Sequence, residues 1–116
     1  MSKRDQRLFL QDIFESIEKI EDYTSNIGFE EFLSNGMVKD AVIRNFEIIG
    51  EASIHISGKL KSKYASIPWN KIKSMRNFVA HEYFGINYDV IWETIKKSLP
   101  DLKAKISKVI AQESDE

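Results

Sequence analysis

Arg76, Asn77, His81 and Tyr83 stand in one short stretch and bring together a fixed cation, an amide, a titratable imidazole and a phenol. An arginine stays charged, and its planar fork can grip a phosphate while stabilising the negative charge that builds in a phosphoryl transition state. A histidine, whose ordinary pKa is about 6.5, can take a proton from a ribose 2′-hydroxyl or give one to the leaving oxygen near neutral pH. These are the groups that metal-free RNA cleavage requires, with the nucleophile supplied by the 2′-hydroxyl that distinguishes RNA from DNA. The chain has two histidines, His55 and His81, no cysteine and no dense carboxylate cluster. Neither a metal nor another cofactor is expected on that donor set.

Placed on one helix, at about 100° per residue, the stretch divides into two arcs. Ile72, Met75, Phe78 and Val79 fall on one side, and Lys73, Arg76, Asn77, Ala80, His81 and Tyr83 on the other. Asn77 and His81 are then i,i+4 neighbours, so the amide can orient the imidazole, while Arg76 and Tyr83 stack seven positions apart. Lys73 shares the polar arc and is a candidate substrate contact. Arg76 and His81 are about 140° apart on an ideal helix, which favours a site shared across a two-fold axis. The plainer readings are a histidine that caps a helix C-terminus through the dipole and a solvated Arg-Asn pair.

The elements that must carry this stretch are helical. From Asp5 to about Thr24, Leu10, Ile13, Phe14, Ile17 and Ile20 recur at three and four positions and predict a first helix. Ile27-Gly28 breaks it, Phe29 to Leu33 suits a single helical turn, and Asn35-Gly36 signals a turn. A second helix from Met37 to about Ile56 is apolar around most of its circumference and is therefore central or interfacial. Gly50 in its middle predicts either a close helix crossing or a tolerated kink. Gly58 is expected to stop that helix, with residues 59–67 a polar connection. Pro68 suits the first turn of the third helix, running through Arg76 to an end between His81 and Gly85. Asn87 reads as the N-cap of a fourth helix, and Pro100 as the start of a fifth. The result is an all-α, four- to five-helix bundle.

Arg44, Glu47 and Glu51 repeat at three and four positions on the second helix. They form either a salt-bridged face or a set near the cleft in which a carboxylate holds Arg76 or His81. His55 lies between Ile54 and Ile56 with no partner at convincing spacing and is read as structural. Trp69 and Trp92 are read as core or interface anchors rather than stacking platforms.

At 116 residues the chain is read as one domain, 1–116, with residues 113–116 a frayed acidic tail. Its formal net charge of −1 argues against broad electrostatic wrapping of nucleic acid, so any positive charge that meets RNA must be local. The absence of cysteine, of a secretion-signal pattern and of a long apolar run fits a soluble cytoplasmic protein without a membrane partner.

The stretch Arg76 to Tyr83 resembles the signature of the HepT-like ribonucleases, a branch of the HEPN superfamily: Arg, four residues, His, one residue, Tyr, with Asn77 after the arginine. Residues 41–52, Ile67-Pro68-Trp69, Tyr83-Phe84-Gly85, Ile91-Trp92-Glu93 and Leu99-Pro100 resemble the family pattern in the same order. The resemblance implies a HEPN-type up-down bundle that forms a homodimer, with Arg76 and His81 of both copies lining a cleft, and metal-independent endoribonuclease activity. It also implies a toxin-antitoxin pair whose partner, an MntA-like nucleotidyltransferase, silences the toxin by adding AMP to Tyr83. A nucleotide there would place bulk and negative charge beside Arg76. The alternative is a non-catalytic nucleotide-binding or partner module of such a nucleotidyltransferase.

Overall fold

The computed structural model describes residues 3–77 and 85–114, and every regular element among them is helical. The first helix, α1 (Lys3–Thr24), buries Leu10, Ile13, Ile17 and Ile20 completely, as the three- and four-residue spacing dictates. Thr24 ends it by donating its hydroxyl to the Ile20 carbonyl at 2.8 Å. The expected single turn is α2 (Phe29–Ser34), pinned by the fully buried Phe32.

The central helix, α3 (Gly36–Ile54), begins where the Asn35 side chain accepts the Val38 amide at 3.1 Å. It runs antiparallel to α1, because the Gln6 amide near the start of α1 donates to the His55 carbonyl (3.0 Å) and accepts the Ser57 amide (2.7 Å) just past the end of α3. Val42, Phe46 and Ile49 are fully buried, in keeping with a helix apolar around most of its circumference.

Gly58 does not simply stop α3. It opens a further short helix, α4 (Gly58–Lys63), inside the segment expected to be a polar connection. Ser57 caps it by accepting the Leu60 amide at 3.1 Å. Leu60 alone anchors it in the core, and one apolar residue leaves no periodic signal to find.

The third helix was expected to run unbroken through Arg76 to the histidine, and this is corrected. α5 (Trp69–Ser74) is a short helix with Pro68 as its N-cap and Met75 as its C-cap. Met75 and Arg76 form a turn, and Asn77 is again helical. The single projection therefore does not carry Ile72 and Lys73 across the turn to Asn77, while the angle between Arg76 and His81 lies outside the described residues. Trp69 is a core anchor, as expected: it is buried, and its indole N–H donates to the Tyr64 carbonyl at 3.1 Å.

The fourth and fifth helices were expected to be separate, with Pro100 starting the second. They join into one rod made of α6 (Tyr88–Glu93), a π-helical turn (Thr94–Ser98) and α7 (Leu99–Ser114). Asn87 caps α6 as predicted, accepting the Val90 amide at 3.3 Å. Proline has no N–H and clashes with the carbonyl four residues back in a regular helix. The wider π-turn immediately before Pro100, closed by the Leu99 amide on the Thr94 carbonyl, lets the rod continue past it. Trp92 packs on Phe29 and Phe32, at centroid distances of 5.8 and 5.1 Å, so it too anchors the core. The rod lies antiparallel to α1, since Lys103 near the start of α7 meets Glu21 at 3.0 Å near the end of α1. Glu113, assigned to the tail from sequence, lies within α7 and accepts from Lys63 Nζ (2.8 Å) and the Tyr64 hydroxyl (2.6 Å). No helix among the described residues is long and apolar enough to cross a membrane.

Candidate active site

Arg76 is placed from below by a glycine. A Cβ built on Gly50 would lie 2.7 Å from the Arg76 Cβ, 2.8 Å from its backbone nitrogen and 3.2 Å from its Cα. Real atoms do not approach so closely, so only a residue without a side chain lets α3 and the Met75–Arg76 turn touch. The close crossing expected at Gly50 is present, and the element that crosses is the one carrying the candidate phosphate-binding arginine.

One residue further along α3, Glu51 accepts from Arg76 Nη1 at 3.1 Å. The arginine side chain remains 41% exposed, so one edge of the guanidinium is held by the carboxylate while donors remain for a ligand. Of the three carboxylate and arginine candidates on α3, Glu51 alone meets Arg76. Arg44 and Glu47 form an ion pair with each other one helical turn away, which is the salt-bridged face foreseen as the plainer reading. Lys73 and Asn77 are exposed on either side of the turn. His81 and Tyr83 lie outside the described residues, so the proposed orientation of the imidazole by Asn77 and the stacking of Arg76 with Tyr83 do too.

Glu51 also lines a groove of about 250 Å³ between α1 and α3, together with Phe9, Asp12, Arg44, Ile48 and His55. His55 was read as structural and without a partner. Its partner is Phe9 on α1, with ring centroids 4.9 Å apart and planes inclined by 19°, a contact across two helices that no spacing along one helix reveals.

The local positive charge that RNA handling demands is also present. All eighteen carboxylates lie outside residues 52–81, a segment that carries Lys59, Lys61, Lys63, Lys71, Lys73 and Arg76. The near-neutral total hides this, and the charge asymmetry along the chain was a signal that composition alone passed over. Lys63 is engaged by Glu113, and Lys61 lies over the Trp69 ring at 6.0 Å. Lys71 and Lys73 on α5 meet no carboxylate among the described residues.

No solved structure matches this chain. Among proteins of known name, it is 44% identical over 107 residues to "Probable ribonuclease HepT" of Thermococcus cleftensis, covering 92% of this chain and 97% of the relative. It is 42% identical over 106 residues to "Putative RNase MJ1380" of Methanocaldococcus jannaschii, covering 91% and 97% respectively. The model of the family described as Ribonuclease HepT-like matches residues 13–109, a span holding α3, the Gly50–Arg76 crossing and the Arg76-to-Tyr83 motif, and the chain belongs to that family.

Proposed function

We propose that this protein is a metal-independent endoribonuclease in which Arg76 binds the scissile phosphate and His81 moves protons. The observation that carries this reading is the seating of Arg76: its backbone rests on Gly50, and its guanidinium is held by Glu51 yet open to solvent. An arginine fixed in place and still accessible can meet an incoming phosphate without a reorganisation cost.

In this mechanism the His81 imidazole accepts the proton of the ribose 2′-hydroxyl. The freed oxygen attacks phosphorus, and the bond to the 5′-oxygen of the next nucleotide breaks. That oxygen takes a proton from an imidazolium, and the products are a 2′,3′-cyclic phosphate and a 5′-hydroxyl. Arg76 stabilises the extra negative charge on the phosphoryl oxygens. Asn77 holds the imidazole, and Lys73 offers a further charge to the substrate.

Family membership supports the remaining parts of the proposal. The protein works as a homodimer with the two Arg76/His81 sets facing one cleft. It is the toxin of a pair whose nucleotidyltransferase antitoxin transfers AMP to Tyr83, blocking the phosphate site.

The test compares the wild type with Arg76→Ala and His81→Ala on single-stranded RNA, with and without EDTA. Wild-type cleavage that persists in EDTA and yields cyclic-phosphate ends, with both variants reduced at least a hundredfold, is the expected result. Equal cleavage by all three proteins removes the proposal. Co-expression with the nucleotidyltransferase, followed by mass spectrometry, should add AMP units to the wild type and none to Tyr83→Phe.

A further inference from the structure

The π-turn that carries the C-terminal rod past Pro100 faces α5 across a groove of about 480 Å³, within the range of clefts that hold small ligands, about 300–1,000 Å³. One wall is formed by Lys71, Ser74 and Met75, and the other by Thr94, Lys97 and Ser98. Ser74 and Met75 immediately precede Arg76, so the groove leads into the turn that carries the arginine.

Its rim is cationic. Lys71 is exposed and meets no carboxylate among the described residues. Lys97 contacts Glu93 at 3.5 Å, but both side chains are well exposed, and such i,i+4 pairs are weak and screened by salt. A phosphate can therefore displace Glu93 at little cost. Asp101 is the one carboxylate among the described residues that line the groove, and it is paired with Lys105 at 3.3 Å. The Ser74 and Thr94 hydroxyls already donate to the Lys71 and Val90 carbonyls at 2.7 and 2.8 Å, and the Ser98 hydroxyl adds a neutral hydrogen-bonding group. The groove between α1 and α3 is a poorer anion site, because Asp12 and Glu51 both line it against Arg44.

We propose that the groove between α5 and the π-turn holds the single-stranded RNA flanking the scissile phosphate, with Lys71 and Lys97 contacting its backbone. This rests on the ribonuclease reading above and extends it to a second site of contact, outside the motif and on a different helix. Sequence-independent contacts of this kind position a strand rather than read it.

The experiment measures binding of a short single-stranded 2′-O-methyl RNA, which cannot be cleaved, by fluorescence anisotropy over a range of salt concentrations. The proteins are the wild type, the double variant Lys71→Gln/Lys97→Gln and a control that removes one lysine elsewhere, Lys19→Gln, on the exposed face of α1. Each lost phosphate contact lowers the slope of log affinity against log salt by about 0.7 for a single strand. The double variant is expected to show a slope shallower by about 1.4, with the control at the wild-type value. Cleavage of ordinary RNA is followed in parallel.

A wild type that cleaves RNA while the double variant keeps the wild-type slope overturns the groove assignment and leaves the ribonuclease reading intact. A wild type that neither binds nor cleaves overturns both. Unchanged RNA binding with weakened binding of the nucleotidyltransferase also overturns the assignment, making the groove a protein-docking surface. Thermal melts of all three proteins should coincide, since Lys71, Lys97 and Lys19 are all exposed.

Discussion

The α-carbon of Gly50 faces Arg76 so closely that any added Cβ would fall 2.7 Å from the arginine's own Cβ. Replacing a mid-helix glycine by alanine ordinarily gains roughly 1 kcal/mol, but forcing an atom against packed backbone costs about 1–3 kcal/mol. Because the obstructing atoms are backbone and Cβ, not the far end of a flexible side chain, the second effect should win. Gly50→Ala is expected to lower stability by on the order of 1 kcal/mol in urea denaturation and to reduce RNA cleavage further by displacing Arg76. A variant more stable than the wild type with full cleavage would show that the crossing can yield.

Glu51→Ala separates positioning from stability. The Arg76–Glu51 pair is about half exposed on both sides, and exposed pairs contribute about 0–1 kcal/mol, so the melt should barely move. Releasing the guanidinium should nonetheless lower cleavage by about ten-fold, since small misplacements of a binding group are costly in rate. Glu51→Gln, which keeps an acceptor for Arg76 Nη1, should recover most of that loss. Equal cleavage by the wild type and Glu51→Ala would leave the pair as surface decoration.

The long helices could be read from the sequence because each carries a repeated apolar stripe: Leu10, Ile13, Ile17 and Ile20 on α1 lie in the core as their spacing requires. The short elements could not. α4 has Leu60 as its single buried residue, and α5 ends at Met75, beside the crossing at Gly50, with no glycine or proline next to it. Pro100 suggested a helix start because its missing N–H suits a first turn, yet the π-turn absorbs the same defect inside a continuous rod. Of the site, the Arg76 motif and the importance of Gly50 were visible separately. Their contact, the Glu51 pair and the Phe9–His55 stack each join residues from different helices, and helical periodicity carries no information about such pairs.

Gln6 is predicted to act as a clamp between the start of α1 and the joint between α3 and α4. Its side chain is 8% exposed, and it donates to the His55 carbonyl and accepts the Ser57 amide. Leucine has similar bulk but can make neither bond. Leaving these backbone groups unpaired in a part-buried site should cost about 1–3 kcal/mol. Gln6→Leu should therefore lower the urea midpoint without changing the dependence of unfolding on denaturant. A midpoint equal to that of the wild type would mean that water replaces both contacts.

Two groups tie stability to alkaline pH. The hydrogen bond from Lys103 to Glu21 raises the lysine above its ordinary value, with the nearby Glu21 and Glu18 charges adding to it against the opposing effect of burial. The Tyr64 hydroxyl is raised first by its hydrogen bond to Glu113 and then by burial. Both therefore hold their protons more tightly folded than unfolded. Their stabilisation is complete below the unfolded pKa values, about 10 for each, and disappears as pH rises through the higher folded values. Both groups are at the surface, so each contributes under about 1 kcal/mol. The stability gap between the wild type and Lys103→Met should be largest near neutral pH and narrow above about pH 10, and Tyr64→Phe should behave in the same way. A gap that widens with alkaline pH would mean that these contacts favour the deprotonated forms, contrary to the geometry in which Lys103 Nζ and the Tyr64 hydroxyl each donate to a carboxylate.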